Sequence, residues 1–262
     1  MALEPYLRAR RTRKDLLLMT HVVCGYPSFE DNWRALEVMA EFDVDLVELQ
    51  FPFSEPSADG PLFARANQRA IELGVHTRDC FAFMARAAAR FPFKLLMMGY
   101  YNTVFKMGEA AFIEQLAAAG GAGFIVPDLP VEEAGELHRL AAAKDLDPVI
   151  LMTPTNTDAR LARLGQAARG FVYAVARKGV TGTKTAMDEG LVGFIERCRR
   201  ATDLPLGIGF GVSSRDDIDF LRGHADIAII GTAALSAWEH GGAPAMQEFF
   251  AELLGRTQAR GA

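Results

Sequence analysis

The sequence predicts an α/β fold in which eight buried, parallel strands alternate with helices. Short apolar runs recur along the chain without polar alternation, which is typical of strands covered on both faces. Amphipathic stretches of helical period lie between these runs. The length of 262 residues suits a single barrel domain. Because parallel crossovers are right-handed, eight such units close naturally into a TIM (β/α)8 barrel.

The strands are predicted from runs rich in Leu, Ile, Val or Phe. The first run follows basic residues and weakly imitates an export signal, but Val22 and Val23 before Cys24 are not the small residues of a cleavage site. We therefore interpret that run as a buried strand. The eight predicted strands are 16–24, 45–50, 94–100, 123–127, 148–153, 171–176, 205–210 and 225–230.

Helices are predicted between the strands and once before them. The basic run 8–14 indicates the solvated face of a short N-terminal helix. Thr77 and either Ser213 or Ser214 are helix-start signals. The other predicted helices are 32–42, 77–89, 109–119, 131–143, 159–168, 188–201, 216–223 and 243–254. We expect one barrel domain over 1–262 with an extra N-terminal helix; a doubly wound open sheet is the alternative.

Composition argues against several classes of protein. The net charge of −5 argues against a nucleic-acid binder, which would present a basic face. The three cysteines and five histidines have neither disulfide-framework nor metal-ligand spacing, so a reducing cytoplasm and no metal are expected. No apolar run approaches the length of a membrane span.

The segment 46–61 carries the strongest chemical signal. Glu48 lies inside an apolar strand, where an ionisable group is costly unless it is paired or used. Asp59 follows on the loop that leaves the same strand. Two carboxylates in different environments can supply an acid and a base. The alternative is that Glu48 forms an internal ion pair and Asp59 caps a turn.

Other polar residues and glycines follow the remaining strands, where barrel active sites gather. Tyr100, Asp128 and Tyr173 stand at or near strand ends, although each also suits packing or a turn. The glycines of 207–211 and Gly231 follow the last two strands, where backbone amides and a helix N-terminus bind phosphate. The glycine-flanked loop 179–183 suits a lid.

These motifs resemble the tryptophan synthase alpha subunit family over almost the full chain. The matching segments are Glu-Leu-x-x-Pro-Phe-Ser-x-Pro-x-Ala-Asp-Gly-Pro at 48–61, Tyr-Tyr-Asn at 100–102, Pro-Asp-Leu-Pro at 127–130, Gly-Phe-x-Tyr at 170–173, Gly-Val-Thr-Gly at 179–182 and Gly-Phe-Gly-Val-Ser at 209–213. The resemblance implies cofactor-free retro-aldol cleavage of indole-3-glycerol phosphate to indole and glyceraldehyde 3-phosphate. It implies that Glu48 shuttles the proton and that Asp59 binds the indole nitrogen, staying ionised on a wetter loop.

The resemblance also implies substrate and partner contacts. Tyr173 would lie in the indole pocket near Glu48, and Thr181 would sit on the lid within reach of Asp59. The remaining substrate-binding residues would be Tyr100, His21, Gly182, Gly211, Gly231 and Thr232. A pyridoxal-phosphate-dependent beta subunit would receive the indole in an α2β2 complex. Its contacts would be Glu55, Pro56, Asn102, Asp128 and Pro130.

Several residues depart from the family pattern near this site. His21 stands where an aromatic Phe or Tyr is usual, Gln50 replaces a glycine, and Glu55 replaces an aspartate. Tyr26 and Thr232 also differ. His21 is either a core histidine or close enough to Glu48 to change its pKa. Three functions therefore stay open: an ordinary alpha subunit, a diverged lyase on a related aryl glycerol phosphate, and a non-catalytic regulator of a beta-subunit partner.

Overall fold

Nine parallel strands form one sheet in the computed structural model, which describes residues 2–175, 189–209 and 211–255. In the described residues their hydrogen-bonded order is β5-β4-β3-β2-β1-β9-β8-β7-β6. The strands are β1 (Leu17–Val23), β2 (Leu46–Gln50), β3 (Lys94–Met98), β4 (Gly123–Ile125), β5 (Asp147–Pro148), β6 (Ile150–Met152), β7 (Val172–Val175), β8 (Leu206–Gly209) and β9 (Ile227–Ile230).

The two end strands of this order, β5 and β6, are halves of one segment separated by Val149. The first half pairs with β4 and the second half pairs with β7. Val149 N donates to Phe124 O at 2.9 Å on one side, and Arg169 N donates to Pro148 O at 3.1 Å on the other. One segment therefore joins both ends of the sheet, and the predicted barrel is confirmed as nearly closed. Pro148 has no N–H for the ladder, which accounts for the division of the predicted fifth strand.

Eleven helices surround the sheet in the described part of the chain. None of these helices is both long and apolar enough to cross a bilayer. The helices are α1 (Leu3–Arg11), α2 (Phe29–Glu41), α3 (Pro61–Glu72), α4 (Thr77–Arg90), α5 (Tyr101–Met107), α6 (Glu109–Ala118), α7 (Gly135–Ala142), α8 (Asp158–Ala167), α9 (Glu189–Ala201), α10 (Arg215–Leu221) and α11 (Thr232–Leu254).

The structure adds helices that the periodicity did not predict, namely α3, α5 and the first half of α11. Helix α3 begins at Pro61, and proline is common in the first turn of a helix. Helix α11 kinks at Gly241 and Gly242, which have non-helical dihedrals, so the pattern indicated only its second half. Ser214 caps α10 as predicted. The residue that caps α4 is His76 rather than Thr77.

Helix α1 closes the end of the barrel where the strands begin. Leu3 and Leu7 are fully buried in the same apolar cluster as Leu17 of β1. Leu3 N donates to Asp147 Oδ2 at 2.7 Å, which fixes the start of the helix. A Cβ at Gly170, whose φ is +72°, would lie 2.9 Å from Leu3 Cβ, so a glycine is needed for this close approach.

The basic run 8–14, which spans the last turn of α1 and the residues after it, is only partly solvated, contrary to expectation. Arg10 Nε and Lys14 Nζ bond to the fully buried Asp45 carboxylate at 2.6 and 2.7 Å. Leu18 N donates to the same carboxylate at 2.8 Å. Buried carboxylates require such partners, so these two cations tie the N-terminal segment to the barrel.

Candidate active site

A cavity of about 530 Å³ opens at the carboxyl ends of the strands. Its lining combines acidic and aromatic groups, apolar strand residues, and glycines with hydroxyl side chains. The principal lining residues are His21, Glu48, Asp59, Phe63, Met98, Ile125, Leu151, Tyr173, Gly211, Ser213, Ile229, Gly231, Thr232, Ala233, Ser236 and His240. Its size and mixed lining suit a small organic ligand.

Strand alternation directs Glu48 into this cavity. Leu46 belongs to the cluster inside the barrel, whereas Val47 and Leu49 belong to the outer core. Because successive side chains alternate, Glu48 and Gln50 share the inner face with Leu46. Glu48 is 4% exposed. The pKa of Glu48 is raised to about 8, mainly by burial and secondly by the charge of Asp59.

Asp59 lies beside Glu48 because the loop after β2 folds back over the barrel mouth. Its Oδ2 accepts from Gln50 Nε2 at 2.7 Å and from the Tyr100 hydroxyl at 3.2 Å. The Tyr100 hydroxyl also accepts from Ala58 N at 2.9 Å, and the Tyr100 ring stacks on Phe53. These contacts hold the loop and its carboxylate in place.

Asp59 is half-buried whereas Glu48 is 4% exposed, so the loop carboxylate is the wetter of the two. Burial raises the pKa of Asp59 to about 6, and the hydrogen bonds from Gln50 and Tyr100 oppose that shift. The carboxylate is therefore largely ionised at neutral pH although it is enclosed. Glu48 and Asp59 thus sit in one cavity with separated pKa values, the condition for an acid and an anion to act together.

Tyr173 lies on the inner face of β7 near both carboxyl groups. Burial raises the pKa of its phenol well above the usual value, and Glu48 and Asp59 raise it further. Its hydroxyl occupies the space that a Cβ at Gly209 would need. The structure therefore places Tyr173 near Glu48 in the cavity, and the neighbouring strand leaves room for the ring.

His21 points into the cavity but bonds to Gln50 rather than to Glu48. Its ring stacks on Phe63, with centroids 4.3 Å apart, and its Nε2 lies 2.9 Å from Gln50 Oε1. Burial lowers the pKa of His21 to about 4. A neutral imidazole carries no charge, and the charged neighbour that shifts the pKa of Glu48 is Asp59. The idea that His21 tunes Glu48 by charge is therefore wrong.

The start of α11 offers backbone donors to the cavity. Leu235 N bonds to Gly231 O, so the amides of Thr232 and Ala233 precede the first internal bond of the helix. In contrast, the amides of Ser213 and Ser214 both donate to Asp217. Gly211 adopts a φ of +100°, which glycine accepts readily. Gly211, Gly231 and Thr232 are therefore together as predicted, with the donors concentrated on α11.

Two predicted substrate contacts, Thr181 and Gly182, and the proposed lid at 179–183 lie outside the described residues. The predicted partner contacts lie on the rim of the barrel. Glu55 and Asn102 are exposed, as are Asp128 and Pro130, whereas Pro56 is half-buried. Asp128 Oδ1 accepts from Tyr101 N at 2.8 Å, so the loop after β4 meets the start of α5.

Some residues in or beside the cavity were not predicted as site residues. Phe63 lies on the unpredicted helix α3, and Ser236 lies on the unpredicted half of α11. Gln50 was noted only as a replaced glycine, although its spacing of two from Glu48 places it on the same face. In the described ranges, no group of three or more His, Cys, Asp or Glu side chains is arranged to hold a metal ion.

Comparisons with known proteins agree with these motifs. A family model described as tryptophan synthase alpha chain matches residues 7–254. The tryptophan synthase alpha chain of Desulforapulum autotrophicum is 45% identical, covering 96% of this chain and 99% of that protein, and that of Syntrophotalea carbinolica is 43% identical with the same coverage. A chain of Mycobacterium tuberculosis tryptophan synthase is 33% identical with a TM-score of 0.90, covering 98% of both chains. The chain therefore belongs to the tryptophan synthase alpha chain family.

Proposed function

We propose that this protein is a lyase that cleaves indole-3-glycerol phosphate to indole and glyceraldehyde 3-phosphate in tryptophan biosynthesis. One observation carries the proposal. Glu48 and Asp59, with pKa values of about 8 and about 6, share a single cavity with the helix amides of Thr232 and Ala233. An acid–anion pair and a phosphate anchor are the two features that this substrate requires.

Glu48 is the proton carrier in this proposal. Protonated at neutral pH, it donates to the indole ring carbon that bears the glycerol side chain. The neighbouring side-chain hydroxyl then returns a proton to Glu48, and the carbon–carbon bond breaks as that hydroxyl carbon becomes an aldehyde. The bonding electrons restore the aromatic ring, and Glu48 ends as it began. A pKa of about 8 suits both directions of transfer.

Asp59 stabilises the ring while it carries positive charge. Its carboxylate accepts a hydrogen bond from the indole N–H, which becomes more acidic once the ring carbon is protonated. Such an interaction is stronger in the transition state than in the bound substrate, and therefore accelerates the reaction. The apolar side chains Phe63, Ile125 and Leu151 of the cavity suit the indole ring itself.

The phosphate is proposed to bind at Gly182, Gly211, Gly231 and Thr232, while Thr181 is proposed to reach Asp59. The uncapped amides at the start of α11 and the helix dipole favour an anion there. The Thr232 hydroxyl adds a further donor. This anchor fixes the glycerol chain, so that the ring carbon and hydroxyl both face Glu48.

A tryptophan synthase beta subunit is the proposed partner, in an α2β2 complex. Phe105 of α5 is 69% exposed and is one turn from Asn102. A large exposed aromatic side chain beside polar residues is typical of a protein interface. This observation supports the rim of Glu55, Pro56, Asn102, Asp128 and Pro130 as the contact face.

Domain organisation and location are proposed on similar grounds. The N-terminal helix packs inside the barrel end, and α11 packs on α2, which supports a single domain over 1–262. The three cysteines are free and buried. Free thiols support a cytoplasmic location.

The test is indole release from indole-3-glycerol phosphate, measured with and without a beta subunit. We expect Glu48→Gln to abolish release, because the amide can neither give nor take the proton, while calorimetry still detects substrate binding. Glu114→Gln, an exposed helix position, is the matched control. Absence of indole from the wild-type protein in both conditions would refute the proposal, and full turnover by Glu48→Gln would remove Glu48 from the mechanism.

A further inference from the structure

Gln50 lies behind Asp59, outside the lining of the cavity. Its side chain is fully buried, and both ends of its amide are engaged. Nε2 donates to Asp59 Oδ2 at 2.7 Å, and Oε1 lies 2.9 Å from His21 Nε2. A buried amide with two satisfied ends has one defined orientation.

The hydrogen bonds that connect Asp59, Gln50 and His21 fix the tautomer of His21. An ionised Asp59 only accepts hydrogen bonds, so the NH2 group of Gln50 must face it. The Gln50 carbonyl then faces His21, and His21 Nε2 must carry the proton that this carbonyl accepts. His21 is neutral, and its ring is held by the stack on Phe63.

We propose that Gln50 is a positioning residue for Asp59 and that His21 holds Gln50 in this role. This inference rests on the proposed function. Gln50 and Tyr100 both donate to Oδ2, and no described group hydrogen-bonds to Oδ1. In the proposed reaction, the second oxygen accepts a hydrogen bond from the substrate N–H. Gln50 itself does not line the cavity, so it acts through Asp59.

The hydrogen bond from Gln50 has a measurable effect on the pKa of Asp59. The groups that face Asp59 are Glu48 of β2, Tyr100 after β3 and Tyr173 of β7, with neutral His21 behind Gln50. Burial raises the pKa of Asp59, whereas the donated hydrogen bond of Gln50 lowers it. Loss of that donor therefore makes Asp59 harder to ionise as well as free to rotate.

The test compares Gln50→Met, His21→Phe and the double variant with the wild-type protein. Methionine keeps the length and flexibility of Gln50 but has no N–H, and phenylalanine keeps the stack on Phe63 without a donor. We expect Gln50→Met to lower kcat/KM by about tenfold to a hundredfold, as for other losses of alignment. The acid limb of the kcat/KM–pH profile of this variant should move to higher pH. His21→Phe should act more weakly in the same direction, and the double variant should be no worse than Gln50→Met.

The control is Gln115→Met at an exposed position of α6. Carboxyl carbon NMR of Asp59 in the ligand-free protein follows the same titration without any substrate. If the wild-type protein released no indole, the proposed function would fail and the NMR titration would still decide the role of Gln50. If Gln50→Met does not fold, Gln50→Gly can replace it, because glycine removes the same hydrogen-bond donor. An unchanged acid limb and Asp59 titration in a folded variant overturn the proposal for Gln50, and additive losses in the double variant overturn the role of His21.

Discussion

At the scale of single residues, the two carboxyl groups divide the chemistry because their surroundings differ. No described residue hydrogen-bonds to Glu48, and burial favours its neutral form. Asp59 has two donors on one oxygen, which partly offset its burial. One group is therefore kept as an acid and the other as an anion, although both are enclosed in the same cavity.

The surroundings of the two carboxyl groups predict a bell-shaped dependence of kcat/KM on pH. Activity requires ionised Asp59, so kcat/KM should rise with pH through about 6, and it requires protonated Glu48, so it should fall through about 8. Asp59→Asn should lower kcat by about a hundredfold to a thousandfold. The asparagine also removes the charge that raises the pKa of Glu48, so the alkaline limb of its residual activity should move to lower pH. Steady-state indole release across pH measures both effects, and an alkaline limb that stays in place contradicts the coupling.

The same residues show how far sequence reasoning extends. Glu48 and Asp59 were predicted together because a carboxylate in an apolar strand and another on its loop are visible in one segment. The hydrogen bonds of Gln50 were not predictable, because they depend on the loop returning over β2 and on the register of β1 beside it. The raised pKa of Asp59 was not predicted for the same reason, since Tyr100, from a distant part of the chain, holds the loop together with Phe53 of the loop itself.

At the scale of elements, the strands were easier to predict than the helices. Buried parallel strands are apolar throughout, so their runs stand out from the surrounding sequence. Helix α3 directly follows the loop that carries Asp59, and the start of its helical period is not clear in the sequence. The glycine pair at 241–242 interrupts the helical pattern of α11, so its first half was not predicted. That hidden half matters most for the site, because its first turn supplies the amides of Thr232 and Ala233.

A charge placed at the start of α11 should separate the stability of this helix from phosphate binding. An aspartate near a helix N-terminus is favourable for the helix, so Ala233→Asp should not lower the melting temperature. It should repel a bound phosphate and raise KM roughly tenfold to a hundredfold relative to Ala233→Asn, which has nearly the same size. Added salt should reduce the difference. Equal KM values for the two variants would place the phosphate elsewhere.

At the scale of the whole molecule, the two ends of the barrel have different tasks. Helix α1 fills the end where the strands begin, and the cavity opens at the other end. The closing role of α1 could not be predicted from its sequence, because Leu3 and Leu7 look like the apolar face of any amphipathic helix. Only the closed sheet shows that this face enters the barrel. The rim around the cavity is then the face available to a partner.

Exposed apolar side chains on different sides of the barrel provide a direct test of that partner face. Phe105 lies on α5 beside the cavity rim, whereas Leu73 lies at the end of α3 and is 49% exposed. Val75, just after α3, packs on Gly25 at the end of β1, whereas α5 follows β3, two strands away in the sheet. We expect Phe105→Asn to weaken binding of a beta subunit at least about tenfold, because buried aromatic side chains dominate interface energies.

Leu73→Asn is the matched control and should leave that affinity within about twofold, since neutral surface changes rarely exceed ~0.5 kcal/mol. Both affinities can be measured by titration calorimetry, with circular dichroism to verify folding. Equal affinities would move the partner contact away from α5. A loss confined to Phe105→Asn would instead place the beta subunit against α5, beside the cavity in which indole is formed. The product would then be released directly against the partner that consumes it.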